Sequence, residues 1–106
     1  MKAILYNPQK KTTSIEDIQE FEDYYKLLNC GTFTVVTLDN GMDIYCDDEG
    51  LFVKDNIITQ IEGYPQPLAG NLLFLGGCDE EGETIGLEEN ISIVQIENML
   101  SYYGKV

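Results

Sequence analysis

Apolar positions recur at more than one period along this chain, and each period predicts an element. Residues 2–6, Lys-Ala-Ile-Leu-Tyr, are a short β-prone run stopped at Asn7-Pro8, where proline removes a backbone donor. Thr12-Thr13-Ser14-Ile15 is rich in β-branched residues and predicts a second strand, making a hairpin. Thr13 and Glu16 also fit a capping box, so the strand is expected to hand over to a helix near Asp17. Ile18, Phe21, Tyr25 and Leu28 then form a single helical stripe within residues 17–29, with Glu20, Glu22 and Asp23 off it and Gly31 placed to end it.

Residues 32–39 read as a strand, and Asn40-Gly41 supplies the two positive-φ positions of a tight hairpin turn into a returning strand at 42–47. Asp48-Glu49-Gly50 predicts another turn into Leu51-Phe52-Val53, which completes a three-stranded meander. Residues 56–62 suit either a short helix or an extended strap, and 63–67 a loop. Asn71-Leu-Leu-Phe-Leu75 is continuously apolar and predicts a central strand buried on both faces, ended by Gly76-Gly77. Ser92 and Gln95 form a second capping box, starting a closing helix near 88 or 92. Ile93, Ile96, Leu100 and Tyr103 would line its buried side, and Gly104 would end it. The expected class is α+β: one domain over 1–106, a mixed, mainly antiparallel sheet of about five or six strands, and two helices packed on it.

Charge changes the picture most. Nineteen acidic residues face six basic ones, a formal net of −13, and every basic residue is a lysine. Without arginine there is no bidentate fork for phosphate or guanine. A field this negative repels nucleic acid and anionic membranes and attracts basic surfaces. The absence of histidine excludes Ser-His-Asp and Cys-His catalysis and the commonest metal ligand. Three cysteines, Cys30, Cys46 and Cys78, argue against a secreted disulfide framework. No apolar run reaches the ~18 residues of a membrane span. The expectation is a cytoplasmic protein with free thiols and no membrane association.

One acidic phrase occurs twice: Cys-Asp-Asp-Glu-Gly at 46–50 and Cys-Asp-Glu-Glu-Gly at 78–82. Asp79, Glu81 and Glu83 alternate like the first ligands of a calcium loop, but Thr84 stands where glycine is required and Asn90 where a bidentate glutamate is. Neighbouring carboxylates raise a thiol pKa and suppress nucleophilic thiolate, and Cys46 reads as a small apolar residue inside a strand. No metal, cofactor or catalytic residue is assigned, and the protein is expected not to be an enzyme. Turn chemistry accounts for Gly50 and Gly82 as bending residues and for about one acid per turn. The surplus acids remain. If strand ends bring the two turns together, Asp47, Asp48, Glu49, Asp79, Glu80, Glu81 and Glu83 form one partner-binding patch that imitates a duplex phosphate line. Tyr24, Tyr25, Tyr64, Tyr102 and Tyr103 are candidate anchors.

The opening Lys-Ala-Ile-Leu-Tyr-Asn-Pro, the 31–38 strand, the Ile44–Leu51 turn, the Ala69–Gly77 strand and the closing Leu87-Glu-Glu-Asn-Ile follow in one order. In this the chain resembles a family of small domains of unknown function encoded by phages and conjugative elements of Firmicutes. The resemblance implies a mobile-element origin, action inside a bacterial host cell, and likeness in size and charge to anti-restriction proteins and type II-A anti-CRISPR proteins. The function expected on this basis is inhibition of a basic, nucleic-acid-binding defence effector. A Cas9-type nuclease, blocked from its guide or target, is the sharpest form. The alternative is a regulatory or adaptor binding module without a defence target. A homodimer through the 42–53 strands or the closing helix is also open.

Overall fold

A computed structural model describes residues 1–106. Eight strands and two short helices alternate along it. The first four strands are β1 (Lys2–Asn7), β2 (Thr12–Asp17), β3 (Phe33–Thr37) and β4 (Asp43–Asp47), with α1 (Glu22–Leu28) between β2 and β3. The rest are β5 (Ile57–Ile61), β6 (Leu68–Ala69), β7 (Leu72–Leu75), α2 (Ile93–Glu97) and β8 (Leu100–Lys105). They build two sheets, one ordered β2-β1-β7-β4-β3 and the other β6-β5-β8, with every pairing antiparallel.

Side chains alternate across a strand, so the four apolar residues of β7 must feed both faces of the larger sheet. Leu72 and Phe74 join Ile4 of β1 and Ile44 and Cys46 of β4 in a core shared with Ile61 of β5 and Ile96 of α2. Leu73 and Leu75 join Ala3, Tyr45 and the α1 residues Tyr24 and Leu28 in a second core. The molecule therefore has three layers: α1, the five-stranded sheet, and the smaller sheet with α2. All four β7 residues are fully buried, as the run of apolar residues predicts.

Several expectations differ from the structure. The strands divide between two sheets instead of one mixed sheet of about five or six strands, every pairing is antiparallel, and helices do not simply cover one face. Residues 51–53 form no third meander strand; Gly50–Phe52 is a single turn of 3-10 helix. The first helix begins at Glu22 rather than 17, because Asp17 is still paired with Lys2 in β2. Tyr24 is its buried aromatic, while Phe21 is 64% exposed. The closing helix keeps its Ser92/Gln95 capping box but stops at Glu97, and Leu100–Lys105 continues as β8 against β5. Ile57–Ile61, the segment read as helix or strap, is the central strand of that second sheet. No helix is long and apolar enough to cross a membrane.

Candidate functional site

The repeated phrase is a repeated turn. Asp47 Oδ1 accepts the Glu49 N–H at 2.9 Å, and Asp79 Oδ1 accepts the Glu81 N–H at 2.9 Å. These are Asx turns, in which a short carboxylate replaces the backbone acceptor. The second turn is tied further: Asp79 Oδ1 also accepts the Glu83 N–H at 2.9 Å, and Cys78 bridges Thr84. Gly82 takes φ +82 with nothing near its would-be Cβ, so it bends the chain as expected. Gly50 does not. It is buried, and a Cβ there would lie 2.9 Å from the Ala69 carbonyl, so close packing demands that glycine.

The sheet does not unite the two turns. Strand β4 pairs with β7 from Asp43↔Leu75 to Cys46↔Leu72. Asp47, Asp48 and Glu49 leave the sheet beside the start of β7, whereas Asp79, Glu80, Glu81 and Glu83 follow its end. The three-residue advance between those pairs alone separates the turns by ~10 Å along the strands. That is about one screening length at physiological ionic strength. The acids form two separate clusters, each exposed apart from the half-buried Asp47.

The first cluster has an apolar continuation. Leu51, Phe52 and Val53 are 61%, 83% and 48% exposed on the 3-10 turn that follows Glu49. Its mark in the sequence is an apolar triplet, Leu51-Phe52-Val53, one glycine after an acidic one. Thr32 holds the base of the turn, its carbonyl accepting the Asp48 N–H at 3.1 Å and its hydroxyl donating to Glu49 Oε1 at 3.4 Å.

The remaining polar chemistry is structural. Cys46 is buried in the inter-sheet core; burial first, then Asp47 and Asp48, push its thiol up to about 11. Burial and then Asp47 also raise the half-buried Cys30 thiol. Cys78 is exposed, its Sγ 3.9 Å from Asp43 Oδ2. Asp43 is 5% exposed and accepts the Thr37 hydroxyl at 2.8 Å. No three cysteine, aspartate or glutamate side chains converge in a geometry that would hold a metal ion. Of the candidate anchors, Tyr24 stacks on Tyr45 at 4.7 Å inside the second core, and Tyr64 packs on the first. Tyr25 is half-buried against Phe33. Only Tyr102 and Tyr103 are well exposed, on the edge strand β8.

These features define a small acidic α+β domain of three layers whose repeated acidic phrases lie in exposed turns. The chain belongs to the family described as Domain of unknown function (DUF3846), whose model matches residues 1–101. It is similar to the uncharacterized protein y4iR of Sinorhizobium fredii, with 28% identity over 82 residues. That match covers 74% of this chain and 51% of the relative, so the chain spans about half the relative's length. No solved structure matches significantly.

Proposed function

We propose that this domain is an acidic interaction module that docks on a basic, nucleic-acid-binding protein through residues 47–53. The observation that carries this reading is Phe52, 83% exposed beside Asp47, Asp48 and Glu49. An aromatic anchor ringed by charge suits a partner with an apolar pocket inside a basic rim. The ring seats and desolvates, and the carboxylates steer the approach. The net charge of −13 extends that steering beyond the contact, while Asp79, Glu80, Glu81 and Glu83 add field from the far end of the sheet. In its sharpest form the partner is a host defence effector of the Cas9 type, on the strength of the resemblance to mobile-element domains.

The separation of the acidic turns favours a second reading beside it. A continuous phosphate mimic needs one uninterrupted line of charge, and two isolated clusters suit a regulatory or adaptor module that does not compete with nucleic acid. Pull-down of a Cas9-type nuclease with and without guide RNA separates the two. Inhibition predicts salt-sensitive capture of the guide-free enzyme, reduced by guide and weakened in Asp48→Lys and Phe52→Ala. Absence of capture, or capture indifferent to both substitutions, removes the inhibitor reading.

A further inference from the structure

The six lysines are not spread evenly. The structure's sole ion pair joins the N-terminus to Asp17, so no lysine forms a contact ion pair despite nineteen acids in the chain, and Lys26 acts on Asp23 only across a longer gap. Lys2 is occupied: its ammonium donates to the carbonyls of Glu88, Glu89 and Ile91 at 3.3, 3.0 and 2.6 Å. Two others share a cleft, and a third lines its neighbour. Lys10 and Lys26 line a cleft of about 470 Å³ between the β1–β2 turn and the end of α1. Lys54 lines an adjoining cleft of about 200 Å³, and the two share Gln9, Asn29 and Asn71.

The amides there are partly committed. Asn71 Nδ2 donates to the Leu27 carbonyl at 3.0 Å and Gln9 Nε2 to the Asp55 carbonyl at 3.1 Å, which holds the walls in place. Asn29 caps α1 in the left-handed conformation, φ +53, and its side chain makes no hydrogen bond within the protein. Two ammonium groups on one cleft, Lys10 and Lys26, repel each other and gain from an anion placed between them, to which the Asn29 amide can donate.

We infer that this cleft binds a compact phosphate-bearing small molecule. No aromatic ring lines either cleft, so a nucleobase has nothing to stack on. The surrounding excess of carboxylates turns away a long polyanion, whereas a small dianion lies within the short range over which the lysines dominate. Asp47 borders the smaller cleft and limits the anion to the Lys10 and Lys26 side.

The test is a ¹⁵N–¹H NMR titration of the full chain with inorganic phosphate and, separately, pyrophosphate, at ionic strength held constant with sodium chloride. The expected result is saturable shifts confined to Gln9, Asn29, Asn71 and the adjacent backbone, with pyrophosphate the tighter of the two. Lys10→Gln with Lys26→Gln weakens binding by about tenfold or more, equivalent to the loss of ~1.4 kcal/mol, without changing the thermal midpoint. Lys105→Gln, remote on β8, leaves it unchanged. Shifts that never saturate, or an equal loss in Lys105→Gln, overturn the inference. Phe52→Ala leaves this titration intact, so the cleft and the docking turn stand or fall separately.

Discussion

Asp79 and Glu83 hold each other twice. The Asp79 N–H donates to the Glu83 carbonyl at 2.9 Å, and the Asp79 carboxylate accepts the Glu83 N–H at 2.9 Å. The pair closes the acidic loop after β7 with Asp79 as its structural acid. Glu80 and Glu81 project from that frame, and no hydrogen bond to their side chains holds them. The first phrase has the same division of labour, with Asp47 bonded inward and Asp48 outward.

Asp79→Ala therefore removes a carboxylate that accepts two N–H groups, and the expected cost is ~1–2 kcal/mol. In a domain near 100 residues each kcal/mol moves the thermal midpoint by about 4–8 °C. Glu80→Lys and Glu81→Lys are expected to leave the midpoint within about 3 °C, since surface changes stay near ±0.5 kcal/mol. Thermal melts of the three variants check this, and equal losses in all three would contradict the division.

The two faces of β7 give a second expectation. Phe74→Ala opens a cavity between the sheets at ~3–5 kcal/mol, and Leu73→Ala opens one under α1 at ~2–5 kcal/mol. Each is a large share of the ~5–15 kcal/mol that holds a domain together. Urea unfolding should show both midpoints falling. If Leu73→Ala were mild, the helix layer would not be a core of its own.

Two glycines with similar backbones should respond differently. Gly77 and Gly82 have φ of +95 and +82, so an alanine strains either. That strain costs ~1–2 kcal/mol for a residue with a Cβ. At Gly77 the added Cβ would also lie 2.4 Å from the Gly41 carbonyl, whereas at Gly82 it meets open space. Gly77→Ala is thus expected to lower the unfolding midpoint clearly more than Gly82→Ala, as urea titration of the pair will reveal.

Much of this fold was legible in local pattern, and the failures share one cause. The Asn71–Leu75 run and the Ser92/Gln95 cap are short-range signals, and each appears where the residues put it; the Asn40-Gly41 turn is present too, but with a positive φ at Gly41 alone (+91) rather than at both positions. The stripe Ile93, Ile96, Leu100, Tyr103 was misleading because Leu100 and Tyr103 also suit a strand, and pairing with β5 decided between them. Likewise the placement of the two acidic turns at opposite ends follows from antiparallel pairing of β4 with β7. That relation joins segments about thirty residues apart and leaves no mark in either phrase. The glycine of each phrase looked equivalent, yet Gly50 is fixed by contact with Ala69, which only the tertiary structure supplies.

Titration at high pH tests the helix-side and inter-sheet cores together. Burial, with Tyr45 beside it, raises the Tyr24 hydroxyl from 10.0 to about 12. The Cys46 thiol rises from 9.0 to about 11. In both the native state favours the neutral, protonated form, so the unfolded chain loses its proton first. The stability they contribute is complete below the unfolded values and declines as pH climbs, across roughly pH 9–11 for Cys46 and 10–12 for Tyr24. Urea midpoints measured through this range should fall. Tyr24→Phe should flatten the upper part of the fall and Cys46→Ala the lower. A fall that keeps its shape in both variants would place its origin outside the two cores.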